Sequence, residues 1–181
     1  MVCNQNIKEF NSMALRDIKS FRDALSTFPS GVTIVSTTDD EGRHWGFTAS
    51  SFSSVSMDPP LVLVCLAKTA DSHAAFVNAE RYVINILSEE QQDVAIHFAR
   101  KNADKFGPHP FRFGTPHDPH PPVLPGSLAS LHCVAQDCHE AGDHTVLIGR
   151  VDDVERCDAT PLLYFNRGFR KIEREEAALA H

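Results

Sequence analysis

Apolar residues recur with two different periods along this chain, and the switch between them predicts its elements. Leu15, Ile18, Phe21, Leu25 and Phe28 fall three or four apart, which is one apolar face of a helix. Pro29 ends that helix and Ser30-Gly31 turns the chain. Residues 31–38 are rich in Val, Ile and Thr and read as a strand. Asp39-Asp40-Glu41-Gly42 is a turn signal, and residues 44–55 return as a second strand of a hairpin. Asp58-Pro59-Pro60 breaks it, and the apolar run 61–66 reads as a buried strand. Residues 71–78 predict a short helix capped by Asp71 or Ser72, and 82–87 another strand. Ser88-Glu-Glu-Gln91 has the spacing of a capping box, opening a helix to about Ala99 with Val94, Ala95 and Phe98 turned inward.

The second half is less regular. Residues 107–126 hold seven of the eleven prolines, with three glycines and three histidines, and predict a long irregular loop rather than a flexible linker. Strands follow at 130–136, 145–155 and about 162–166. Residues 1–13 read as a loose lead-in, 14–172 as one domain, and 173–181 as a charged tail. About six or seven short strands with two or three helices, joined more by hairpins than by crossovers, favour a mainly β fold. The expected architecture is a closed or partly closed antiparallel barrel with peripheral helices.

Composition narrows the class. A chain of 181 residues with 42% hydrophobic and 23% charged positions can bury a real core as one domain. A net charge of -7 without a basic stripe argues against nucleic acid as a partner. The longest apolar run, 61–67, is too short to span a bilayer, and the N-terminus lacks the order of a secretory signal. Five scattered cysteines read as reduced thiols of a cytoplasmic protein. His132, Cys133, Cys138, His139 and His144 lie close together, but no paired spacing completes a tetrahedral set, so no metal is expected. No G-x-G-x-x-G follows a strand, so a Rossmann dinucleotide fold is not indicated.

Chemistry concentrates in Gly46-Phe-Thr-Ala-Ser-Ser-Phe-Ser-Ser-Val-Ser-Met-Asp-Pro-Pro-Leu61. Short hydroxyl side chains on a strand let backbone and hydroxyl groups approach a ligand that bulkier residues would exclude. The segment suits a flat, polar-edged molecule such as a flavin with its ribityl and phosphate tail. With Phe28-Pro-Ser-Gly-Val-Thr-Ile-Val-Ser36, Asn85-Ile-Leu87, His97-Phe-Ala-Arg100, Asp104-Lys-Phe106, Gly142-Asp-His144, Gly149 and Pro161-Leu-Leu-Tyr164, it resembles the short-chain flavin reductases of two-component monooxygenases. These stretches keep that family's order over roughly residues 20–172. The resemblance implies a Greek-key split β-barrel of the FMN-binding type, a homodimer, and reduction of FAD or FMN by NADH or NADPH. The reduced flavin would pass to a partner monooxygenase.

Each site residue carries a second, plainer reading. The resemblance implies that Thr48, Ala49, Ser50 and Ser51 contact the flavin; otherwise they form a Ser/Thr-rich edge strand. Cys65, Leu66 and Ala67 match a second flavin-contacting segment, with Cys65 a packed thiol rather than a nucleophile. Ser72 opens a helix, whose free N–H groups suit phosphate or simply need a cap. Lys105 is implied to meet the flavin phosphates, or to complement a helix C-terminus. Phe106 packs beside the flavin or closes the core. His144 is implied to lie at the nicotinamide, where an imidazole can stack or hydrogen-bond; otherwise it is a turn histidine. Arg167, beside Tyr164, would meet the dinucleotide pyrophosphate or belong to a solvated basic tail. The 107–126 loop is a candidate flap over the flavin. Two other functions remain open: a split-barrel oxidase that retains its flavin, and a non-catalytic flavin-binding protein.

Overall fold

The computed structural model describes residues 17–101, 103–115, 117 and 120–172. Leu15, the lead-in 1–13 and the tail 173–181 lie outside the described residues. Helix α1 (Ile18–Ser26) starts at Asp17, whose carboxylate accepts from Lys19 N at 2.8 Å as an N-cap. The strands are β1 (Ser30–Gly31), β2 (Thr33–Thr38), β3 (His44–Ala49), β4 (Ser53–Met57), β5 (Pro60–Ala67), β6 (Arg81–Ile86), β7 (Ala129–Ala141), β8 (His144–Arg156), β9 (Leu163–Phe165) and β10 (Gly168–Arg170). Helices α2 (His73–Val77) and α3 (Gln92–Phe98) flank β6 in the chain. The capping box is made: Ser88 N donates to Gln91 Oε1 at 3.1 Å and opens one 3-10 turn before α3.

Seven strands form one antiparallel sheet in the order β3-β2-β6-β7-β8-β5-β4. Its two edges, β3 and β4, are consecutive in the chain and joined by Ser50–Phe52 alone. A flat seven-stranded sheet would hold its edges about 29 Å apart. The connection can span at most about 14 Å. The sheet must therefore curl until its edges meet, which makes the barrel. Ser51 fastens the seam: Cys65 N donates to Ser51 Oγ at 2.9 Å, and Ser51 Oγ donates to Cys65 O at 3.2 Å. The expected single strand over 44–55 is thus corrected to two strands with different partners, β3 on β2 and β4 on β5. Similarly, 31–38 divides at Val32, because β1 pairs with β9 in a separate three-stranded sheet. The β7–β8 hairpin runs on to Ala141 and His144, beyond the expected ends, and β10 adds a strand the sequence pattern did not show.

β2 is buried on both faces, because two cores share it. Val35 joins Phe47, Val62, Val64, Leu66, Phe76 and Ile84 inside the barrel. Ile34 points the other way, to Leu87, Val94, Ala95, Phe98, Phe111 and Leu124. Gly46 permits the second packing, since a Cβ there would meet the Phe98 ring at 2.7 Å. The 107–126 segment is not a free flap along its length. Arg112 and Val123 exchange backbone hydrogen bonds of 2.8 and 2.9 Å, Gln91 Nε2 donates to Pro125 O at 2.9 Å, and Val123 and Leu124 are buried. Among the described residues no helix is long and apolar enough to cross a membrane.

Candidate functional site

Several of the predicted site residues, Ser51, Cys65 and Lys105 among them, are bonded around the barrel seam. The end of β3 and the bend after it lie against the end of β5 through the Ser51–Cys65 bonds. The stretch following α3 crosses the same seam. Lys105 Nζ donates to Gly46 O at 2.9 Å on β3, and Lys101 Nζ donates to Thr69 O at 3.2 Å just beyond β5. Lys105 lies seven residues past the end of α3 at Phe98, so the helix-dipole reading does not apply to it. Burial pushes its ammonium pKa down, partly offset by the nearby Asp71 carboxylate. A half-buried cation lying on β3 is suited to an anionic group.

Not every candidate side chain is available. Thr48 Oγ1 donates to Ala95 O at 2.6 Å and pins α3 onto β3. Ala49 is buried, and its carbonyl accepts from Thr33 Oγ1 at 3.1 Å. Ser51's proton is committed to Cys65. Ser50 is the exposed member of the four, at the point where β3 ends. Ser72 precedes α2 but makes no side-chain cap bond; it is 2% exposed, and its Oγ has no hydrogen-bond partner. The capping reading of Ser72 is therefore corrected: a buried hydroxyl holds bonding capacity that the helix does not use. Phe106 packs edge-on to Phe98 at 5.1 Å and Phe111 at 4.9 Å, closing the outer core.

His144 meets the seam through the sheet register. Ala67 of β5 pairs with His144 of β8, and Leu66 with Thr145. Gly142, at φ 62°, and Asp143 make the turn before it, and Lys68 N donates to Asp143 O at 2.9 Å. His144 Nδ1 lies 2.8 Å from Asp143 Oδ1. That hydrogen bond and the imidazole's charge hold the Asp143 carboxyl below the usual range, with a smaller contribution from Arg22 of α1. Thr145 faces the opposite side, buried, with Oγ1 2.9 Å from His73 Nε2. The His73–Thr145 contact was not legible beforehand; it ties the start of α2 to the strand that carries His144.

Arg167 and Tyr164 stand outside this bond network. Tyr164 packs on Phe169 at 5.4 Å. Arg167, at φ 60°, is exposed and forms an ion pair with Asp23 of α1. Asp23 adjoins Arg22, so α1 links the small sheet to the His144 corner.

The comparisons agree with this geometry. The family model of the flavin reductase like domain matches residues 25–173. A protein named probable flavin reductase from Rhizobium meliloti (strain 1021) is 42% identical over 153 residues, 84% of this chain and 48% of that protein. The reductase subunit HsaB of a flavin-dependent monooxygenase from Mycobacterium tuberculosis (strain CDC 1551 / Oshkosh) is 35% identical over 168 residues, 91% of this chain and 88% of that one. The solved NADH:FAD oxidoreductase SgcE6 of Streptomyces globisporus C-1027, in complex with NAD and FAD fragments, superposes with a TM-score of 0.79 at 31% identity, covering 86% of this chain and 93% of that one. The chain spans about half the length of the first of these relatives. With the family model matched across nearly the whole barrel, the chain belongs to the flavin reductase like domain family.

Proposed function

We propose that this chain is an NAD(P)H:flavin oxidoreductase that reduces FAD or FMN and supplies the reduced flavin to a partner monooxygenase. One observation carries the reading. The β5–β8 register sets Ala67, on the strand implied to contact the flavin, directly opposite His144, about 5 Å away between Cα atoms. The flavin supplies the hydride acceptor, and the chain's task is alignment. Ser50, Ser72 and Lys105 offer donors for the ribityl and phosphate groups. The backbone of Cys65–Ala67 offers an edge for the ring system. His144, oriented by Asp143, offers an imidazole at the nicotinamide. Tyr164 of β9 and Arg167, paired with Asp23 of α1, belong to the outer part of the dinucleotide site in this reading.

The domain is residues 14–172, and the working unit is a cytoplasmic homodimer. The exposed apolar face of α1 supports the dimer: Ile18 is 57% and Leu25 58% exposed, and no residue of the helix is buried. The reductase subunit among the relatives supports a monooxygenase partner. The test is NADH and NADPH oxidation with FAD, FMN or no flavin added. Turnover that requires and saturates in added flavin is the expected result. Absence of turnover with every pair, in protein that binds flavin, would overturn the reading.

A further inference from the structure

The contacts that His144 makes with its own side chain hold it weakly. It opens β8 directly after the turn at Gly142 and Asp143. Its imidazole is 44% exposed, and the Asp143 carboxylate bonded to it is 92% exposed. Such a pair orients the ring, but water competes for both partners and little holding force remains. The firmer grip comes from the residues on either side. One short segment, from the end of β5 to the start of α2, touches three successive positions. Lys68 N donates to Asp143 O at 2.9 Å, Ala67 pairs with His144 in the ladder, and His73 Nε2 lies 2.9 Å from Thr145 Oγ1. Of these three contacts, the last is the one made by side chains.

That contact joins two rigid parts. Thr145 is 3% exposed and points to the opposite side of the sheet from His144. His73 is half-buried at the first position of α2. Three residues on, and so on the same face of the helix, Phe76 is 2% exposed and packs edge-on to Phe47 at 4.9 Å inside the barrel core. α2 is thus a fixed point, and the His73 imidazole carries its rigidity to the start of β8. Breaking the contact removes the partner of a buried hydroxyl, which costs far more than losing an exposed pair. The side chain next to it in sequence, Ser72, is the one offered to the flavin, so the flavin side and the His144 corner share this anchor.

We propose that His73 is a positioning residue for the hydride-transfer step: through Thr145 it holds the start of β8 so that the His144 imidazole stands in place at the nicotinamide. The proposal rests on the flavin reductase reading and deepens it. It assigns a second histidine to the same step, acting through the strand rather than on the reacting rings.

The test is whether His73 acts through His144. Turnover of NADH and NADPH at saturating flavin is measured for His73→Ala, His73→Gln and Thr145→Val, each alone and each combined with His144→Ala. Flavin affinity is read by fluorescence for every variant. The expected result is a kcat lowered about threefold by His73→Ala and by Thr145→Val, with flavin affinity unchanged. Glutamine places a nitrogen where the imidazole Nε2 stands, so His73→Gln should restore kcat to near the parent value. Combined with His144→Ala, neither substitution should lower kcat further, because the group they position is gone. Equal losses with and without His144 would make His73 a structural tie only and overturn the proposal, as would a His73→Gln variant no better than His73→Ala. A flavin affinity that falls in Thr145→Val would place the contact on the flavin side and overturn it too. Should His73→Ala fail to fold, the nearly isosteric Thr145→Val carries the same comparison. An active parent with indifferent variants overturns this proposal alone. A parent that oxidises neither NADH nor NADPH with either flavin overturns the reductase reading and this proposal with it.

Discussion

Two of the places where this barrel buries polar groups treat them in opposite ways. Under the 107–126 segment, Asn85 is fully buried and every one of its bonding directions has a use. Its Nδ2 donates to Ile34 O at 3.1 Å, and its Oδ1 accepts from Leu124 N at 3.0 Å and Ser130 Oγ at 2.9 Å. Ser36 Oγ, beside it, donates to Pro122 O. At the seam, Ser72 Oγ is as deeply buried and has no partner, and Lys105 is half-buried at a cost to its charge. The first set is closed on itself and fixes where an irregular segment docks. The second retains capacity that the fold does not consume.

The sharpest break of that comparison is Asn85→Ala. It leaves Leu124 N and the Ser130 hydroxyl buried without partners, and should cost about 3 kcal/mol. Calorimetry should show Tm lowered by about 10 °C, with flavin affinity unchanged at temperatures where the variant is folded. Lys105→Met should do the reverse. The folded-state pKa of Lys105 lies below its ordinary value, so the folded chain binds fewer protons than the unfolded one. The burden on stability is therefore absent well above the ordinary lysine pKa, appears as pH falls through that range, and is fully present below the lowered folded value. Removing the charge should leave Tm unchanged or slightly higher, while flavin affinity drops about tenfold. A large loss of stability with intact flavin binding would make Lys105 a second Asn85 and erase the distinction.

How far the sequence discloses these two regions follows from what sets each element. Val94, Ala95 and Phe98 and the Ser88–Gln91 box are local signals, and α3 forms where they predict. The run from His44 to Val55 has strand propensity throughout, so nothing local marks the break at Ser50–Phe52. The break is imposed by barrel closure, a tertiary requirement. The end of β7, from Ala135 to Ala141, is exposed along its length and carries no alternation to read. Among site residues, the strand register pairs Ala67 with His144, and Ser51 is bonded to Cys65. Which hydroxyls are spent on the fold, as at Thr48 and Ser51, depends on partners 47 and 14 residues away and has no local signature.

His144→Ala sharpens the seam side of the comparison more gently. The cofactors carry the hydride chemistry, so the imidazole aligns rather than transfers a proton, and kcat should fall about tenfold without loss of turnover. Flavin affinity should hold, because Ser72 and Lys105 stay in place. A flavin affinity that fell with kcat would move His144 from the nicotinamide to the flavin. Stability should change little, since the side chain is half-exposed and its partner Asp143 is at the surface.

The smallest effect tests whether a satisfied polar cluster needs burial at all. Asp39 sits at the end of β2 with its carboxylate bonded by the Trp45 indole, by the Arg43 side chain and by the backbone N–H groups of Arg43 and Glu41. The Trp45 hydrogen bond foremost lowers its pKa to about 2. A depressed carboxyl pKa contributes stability that is present above the ordinary value near 4 and is lost as pH falls towards the folded value. Because Trp45 is the sole tryptophan, its emission reports this one carboxylate. An acid titration should show a small emission change centred near pH 2, and Asp39→Asn, which cannot titrate, should flatten it. A midpoint near 4 in the parent protein would mean that these bonds do not hold the hairpin in solution. Satisfied polar groups would then organise this fold only where they are buried, as around Asn85.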